Sequence, residues 1–187
     1  SDEIYEKLIY GDTVFKSVAS FSREHQDHTI IVHGLAKAYS MTGWRIGFTA
    51  APLPIAKAIG AIQSHSTSNP TSFAQSGAVQ ALKGPQDHLA EWLAQFSKRR
   101  DYAYGRLTNM EGITCVNAQG AFYLFPNISG TGMKSAEFCE KLLAEQKVAA
   151  VPGVAFGSDG FIRLSYATSM ENIEKGLNRL EAFVRTL

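Results

Sequence analysis

The chain has 187 residues, 45% of them hydrophobic and 19% charged, with a formal net charge of +1. That balance excludes an intrinsically disordered polymer, which needs low hydrophobicity and high net charge, and gives no basic footprint for nucleic acid or an anionic membrane surface. The longest apolar stretch, 46–62, is broken by Pro52, Pro54 and Lys57, so no transmembrane helix is expected. Two cysteines, Cys115 and Cys139, are too few for a disulfide scaffold and too distant for a CxxC site, which predicts a reducing, cytoplasmic setting. The opening Ser1-Asp2-Glu3-Ile4-Tyr5 has neither a basic n-region nor an apolar h-region, and no export signal is expected.

In chain order, the pattern reads as α/β. The β-branched run 29–33 ends at Gly34 and predicts a strand, with a second at 46–49. Helices are predicted over 54–63 and 72–83, the latter stopped by Gly84-Pro85. A longer helix over 86–109 carries Leu89, Trp92, Leu93, Phe96, Tyr104 and Leu107 at mostly three- and four-residue steps. Strands then follow at 113–116, 121–125, 148–151 and 161–166, interleaved with helices at 135–145 and 170–185. The boundary between a first part, 1–84, and a small α/β second part, 85–187, is placed near Gly84.

Two motifs carry little chemistry. Gly130-Thr131-Gly132-Met133-Lys134-Ser135 resembles a phosphate loop but lacks its upstream glycine and has Met133 before the lysine, and reads as a turn before a helix. His25 and His28 have helical ligand spacing but sit in the polar run 22–28 without a third ligand, which favours a solvated loop.

Lys37 differs, because it follows a buried strand among small residues and Arg45 comes eight positions later. An amine attacks an aldehyde only when its ammonium form is destabilised, as partial burial beside a cation achieves. Arg45 supplies such a cation, or a planar fork for a phosphate. Together they suggest a phosphorylated aldehyde cofactor, although on spacing alone a surface loop lysine and a strand-edge arginine remain the plainer reading.

The run Ala36-Lys37-Ala38-Tyr39-Ser40-Met41-Thr42-Gly43-Trp44-Arg45-Ile46-Gly47-Phe48 resembles the pyridoxal-phosphate lysine segment of the fold type I, class I aminotransferases. The resemblance extends through Asp2-Glu3-Ile4-Tyr5-Glu6, 64–75, Gly120-Ala121-Phe122-Tyr123, 151–157 and 162–169, and among subfamilies is nearest to bacterial aspartate aminotransferases. It implies that Lys37 forms the Schiff base with pyridoxal 5'-phosphate and moves the proton between the substrate α-carbon and the cofactor. Asp2 would face the pyridine nitrogen and keep the ring an electron sink. Tyr5 would donate to the cofactor O3′, Arg45 would bind the phosphate, and Arg163 would grip the substrate α-carboxylate through two charge-assisted bonds.

Each role has a structural rival. Asp2 and Tyr5 also fit a helix cap and a core aromatic. Arg163, in an apolar strand, needs an anionic partner, for which Asp159 is a candidate. His33 stands where many members of the family have asparagine, and Gly120 and Pro152-Gly153 read as backbone turns.

The family's earlier segments, with the phosphate loop and the ring-stacking aromatic, find no counterpart in these residues. The expectation is therefore the rear part of a large cofactor domain, 1–84, with an interdomain helix and the small C-terminal domain, 85–187. The parent subunit would be a homodimeric, cytoplasmic aminotransferase acting on an amino acid such as aspartate and a 2-oxo acid, and the 187 residues alone would be inactive. A pyridoxal-phosphate-dependent lyase and an aminotransferase-like ligand-sensing module are the alternatives.

Overall fold

The β-branched run becomes β1 (Ile31–Gly34), paired antiparallel with β2 (Gly47–Ala50) in the register Ile31↔Ala50 to Gly34↔Gly47. Residues 1–3 run parallel along the other edge of β1, with Val32 N–H donating to Ser1 O at 2.8 Å and Glu3 N–H to Val32 O at 2.9 Å. Parallel neighbours need a long crossover, and residues 4–30 supply it. The computed structural model describes all 187 residues, in two compact units, Ser1–Leu93 and Ala94–Leu187.

Within the crossover lies α1 (Arg23–Asp27), where a solvated loop was expected. Ser22 caps it by accepting from His25 N–H at 3.2 Å, and Arg23 pairs with Asp27 at 3.0 Å one turn on. These local polar bonds suffice for a single turn whose residues are all exposed. The remaining helices of the first unit are α2 (Leu53–Ser66), with Pro54 in its first turn where a missing N–H costs nothing, and α3 (Ser72–Lys83). Helix α3 buries Ala74 and Ala78 at i, i+4 and ends at Gly84, whose N–H bonds Gln80 O at 2.8 Å. Helix α4 (Asp87–Thr108) starts in the first unit and ends in the second.

The second unit holds a three-stranded antiparallel sheet in the order β3-β5-β4, made of β3 (Tyr123–Leu124), β4 (Val151–Pro152) and β5 (Ile162–Ser165). The strand expected at 113–116 reduces to one bridge, Thr114↔Asn127, because Val116, 85% exposed, has no face to bury. The strand expected at 148–151 is shifted to Val151–Pro152, an edge where proline's missing N–H is tolerated.

Helix α5 (Ser135–Gln146) packs against β4 and against α6 (Met170–Val184). Ile173, Leu177, Leu180 and Phe183 form the buried stripe of α6, and Phe183 meets Phe138 edge-on with centroids 5.1 Å apart. Asp159 caps α5, accepting from Ser135 N–H at 3.1 Å and Ser135 Oγ at 2.7 Å. Gly153 is required at its turn, since a Cβ there would collide with the carbonyl oxygens of Ser158 and Phe161.

Candidate functional site

In the first unit the site is built where β1 and β2 open. A Cβ on Gly34 would lie 3.1 Å from Gly47 Cα, and one on Gly47 2.9 Å from His33 O, so glycine lets the strands close to backbone contact. The chain between them is a compact turn. Leu35, Ala38 and Met41 are buried at three-residue steps, Leu35 and Met41 in one cluster with Ala78 of α3, while Lys37 between them is half-buried. Tyr39 N–H closes the turn on Leu35 O at 3.2 Å. Trp44 lies across Gly77 of α3, where a Cβ would come within 2.5 Å of its ring.

Two non-glycine residues of this turn, Ser40 and Arg45, hold positive φ values of 53° and 52°. Such conformations cost about 1 to 3 kcal/mol each and persist where their surroundings over-determine them. Packing against α3 supplies that constraint.

Lys37 Nζ sits 5.8 Å from the centroid of the Tyr5 ring, so the structure brings these two predicted residues together. Glu6, next to Tyr5 in sequence, pairs with His33 Nε2 at 3.2 Å, and His33 in turn stacks on Phe48 of β2 with centroids 5.1 Å apart and planes 9° from parallel. Asp2 is exposed on the short parallel partner of β1, and its Oδ1 accepts from Ile4 N–H at 3.2 Å. It therefore shapes the turn leading to Tyr5 and caps no helix. Arg45 is exposed at the far end of the lysine turn, donating one N–H to Thr42 O at 2.8 Å.

Arg163 belongs to the second unit, on the central strand β5 opposite Val151. Its guanidinium carbon lies 4.4 Å from the Tyr123 ring centroid and 4.7 Å from that of Phe156. No carboxylate pairs with it, and the anticipated partner Asp159 is engaged by Ser135 instead. Those bonds hold the Asp159 carboxyl below the usual carboxylate range, the Ser135 side chain being the largest cause. Aromatic faces thus do the work the sequence assigned to an anion. Tyr123 and Phe156 both stood in recognisable segments, but their convergence on Arg163 from positions 33 apart left no signal in the sequence.

The remaining motifs are structural. A Cβ on Gly130 would lie 2.7 Å from Gly112 Cα, so that glycine serves a backbone contact. His25 and His28 are engaged locally, by Ser22 Oγ at 2.8 Å and Glu24 O at 2.9 Å. Burial pushes the Cys139 thiol up to about 11, far from a reactive thiolate. No helix is long and apolar enough to cross a membrane.

The family model for aminotransferases of class I and II matches residues 1–180. The chain is 47% identical over 189 residues to the aspartate aminotransferase of Bacillus subtilis (strain 168) and 46% to that of Geobacillus stearothermophilus, each time over 98% of this chain and 48% of the relative. The solved structure of the aspartate aminotransferase from Rhizobium meliloti superposes with a TM-score of 0.93 at 38% identity, covering 98% of this chain and 48% of that one. The chain therefore spans about half the length of the relatives it matches.

Proposed function

The chain belongs to the class I and II aminotransferases, and from that premise we propose that it is the later part of a pyridoxal-phosphate-dependent subunit that moves an amino group between an amino acid, aspartate or one similar, and a 2-oxo acid. The observation that carries this reading is Lys37, half-buried in a turn closed by paired glycines, with its amine over the Tyr5 ring.

The donor set fits the cofactor group by group. An amine suits an aldehyde, a carboxylate a protonated pyridine nitrogen, a phenol the ring hydroxyl, and a guanidinium a phosphate. Lys37, Asp2, Tyr5 and Arg45 would hold the cofactor in that order. When bound, it supplies an electron sink for the bond broken at the substrate α-carbon. Lys37 Nζ would then take and return the α-proton. Its position over a phenol face, rather than in open solvent, restricts the amine's reach. Asp2 would face the pyridine nitrogen, Tyr5 would place its phenol toward the ring hydroxyl, and Arg163 would orient the substrate carboxylate through its planar fork of N–H groups. Residues 1–84 are assigned to the large cofactor domain and 85–187 to the interdomain helix and small domain, in a cytoplasmic homodimer.

The test is chemical. The chain is incubated with pyridoxal phosphate, reduced with borohydride, and the modified lysine located by peptide mass. Label on Lys37, lost in Lys37→Ala, is expected. Equal labelling of the remaining lysines with Lys37 untouched would sink the assignment, and release of ammonia without amino-group transfer by the complete subunit would point to a lyase.

A further inference from the structure

We propose that Gln86 is a positioning residue for Lys37, acting through the hydroxyl of Tyr39; the inference rests on the reading of Lys37 given above. Tyr39 lies two residues beyond the lysine and closes its turn. Its hydroxyl donates to Gln86 Oε1 at 2.8 Å, across 47 positions of sequence. The same amide donates from Nε2 to Ala81 O at 2.9 Å and to Gly84 O at 2.7 Å. Both amide hydrogens and the carbonyl oxygen are thus used.

Two of these acceptors are main-chain carbonyls at the C-terminal end of α3, which lack partners within the helix and need one from elsewhere. Gln86 therefore has a fixed base, and from it holds the tyrosine. The ring centroids of Tyr39 and His88 lie 6.1 Å apart, and His88 meets Trp92 edge-on at 4.8 Å. Leu35, Met41 and Trp44 already anchor the turn on α3 through apolar contact, which is non-directional. The Tyr39–Gln86 bond adds a directional restraint next to the lysine, and this matters because Ser40, beside Tyr39, is held at a positive φ that relaxation would release.

The experiment compares the unaltered chain with Tyr39→Phe, Gln86→Leu and the double variant. Tyr39→Phe keeps the ring and leaves the Gln86 bonds to α3 intact, so it isolates the link from any loss of folding. Two quantities are read: the rate of borohydride-trapped labelling of Lys37 by pyridoxal phosphate, relative to exposed Lys57 on α2 in the same sample, and amide hydrogen exchange across 35–46. Each single variant should slow Lys37 labelling by about 2- to 10-fold, the span of one net hydrogen bond. The double variant should lose no more than either single one, Lys57 should be unaffected, and exchange across 35–46 should rise. Unchanged rates and exchange in Tyr39→Phe, or additive losses in the double variant, would overturn the proposal. Absence of label on Lys37 in the unaltered chain would instead count against the cofactor reading, and the exchange measurement would still decide whether Gln86 holds the turn.

Discussion

The Arg163 guanidinium lies over two aromatic rings, 4.4 Å from the Tyr123 centroid and 4.7 Å from that of Phe156, and the negative ring faces attract its positive charge in place of an anion. Lysine cannot reproduce this, since a compact ammonium neither stacks nor forks. Arg163→Lys is therefore expected to raise KM for both the amino donor and the oxo acid by about tenfold or more, the worth of a charge-assisted bond, in the complete subunit that carries this sequence. Retained KM with lost cofactor would reassign the residue to cofactor binding. Lys37 and Arg45 were legible as candidates only through the family resemblance of the run 36–48, since on spacing alone a surface loop lysine and a strand-edge arginine were the plainer reading. The two rings against Arg163, the His33–Glu6 pair and the Tyr39–Gln86 bond were not. Each joins residues far apart in sequence or ties side chains whose types are common at any surface, and composition carries no trace of such partnerships.

At the scale of elements, helices were more legible than strands. The stop at Gly84-Pro85 places the end of α3 because proline and glycine act locally, and the four- and three-residue steps of Ile173, Leu177 and Leu180 fit the helix of α6. Two-residue strands such as β3 and β4 depend on their partner β5 and on tight turns, so their limits follow tertiary context. One such turn joins β4 to β5, where Asp159 binds Ser135 at the start of α5. Because its folded-state carboxyl titrates below the ordinary range, the stabilisation it gives is present above the unfolded value and is lost as pH falls through the folded one. Glu181 of α6, depressed chiefly by its bond to Arg106 and then by Arg185, acts with the same sign. Thermal melts of the unaltered chain and Asp159→Asn should differ most near neutral pH and converge on acidification below about pH 4. A gap that persists at low pH would mean that the cap is steric and not ionic.

For the whole molecule, the two units differ in how much apolar surface they hide. Leu107, Ile128, Phe138, Leu142 and Ile162 of the second unit are fully buried. In the first, Val14, Leu53, Ile62 and Phe73 are 67–74% exposed, α2 buries no residue, and every residue of β2 is exposed. Exposed apolar area on this scale favours association, and a strand edge without cover favours local opening. Amide hydrogen exchange of the 187-residue chain should therefore give slow exchange in β5, α5 and α6 and fast exchange in β2 and α2, and sedimentation should show mass increasing with concentration. The same imbalance bears on catalysis. Lys37 and Arg45 lie in the less protected unit, so the chain alone is expected to show no measurable amino-group transfer and to gain it when the rest of a family-length subunit is supplied, in the same chain or in trans. Uniform protection of both units, or transfer by the mass-verified 187-residue chain alone, would show that this half of the family fold completes a working site by itself.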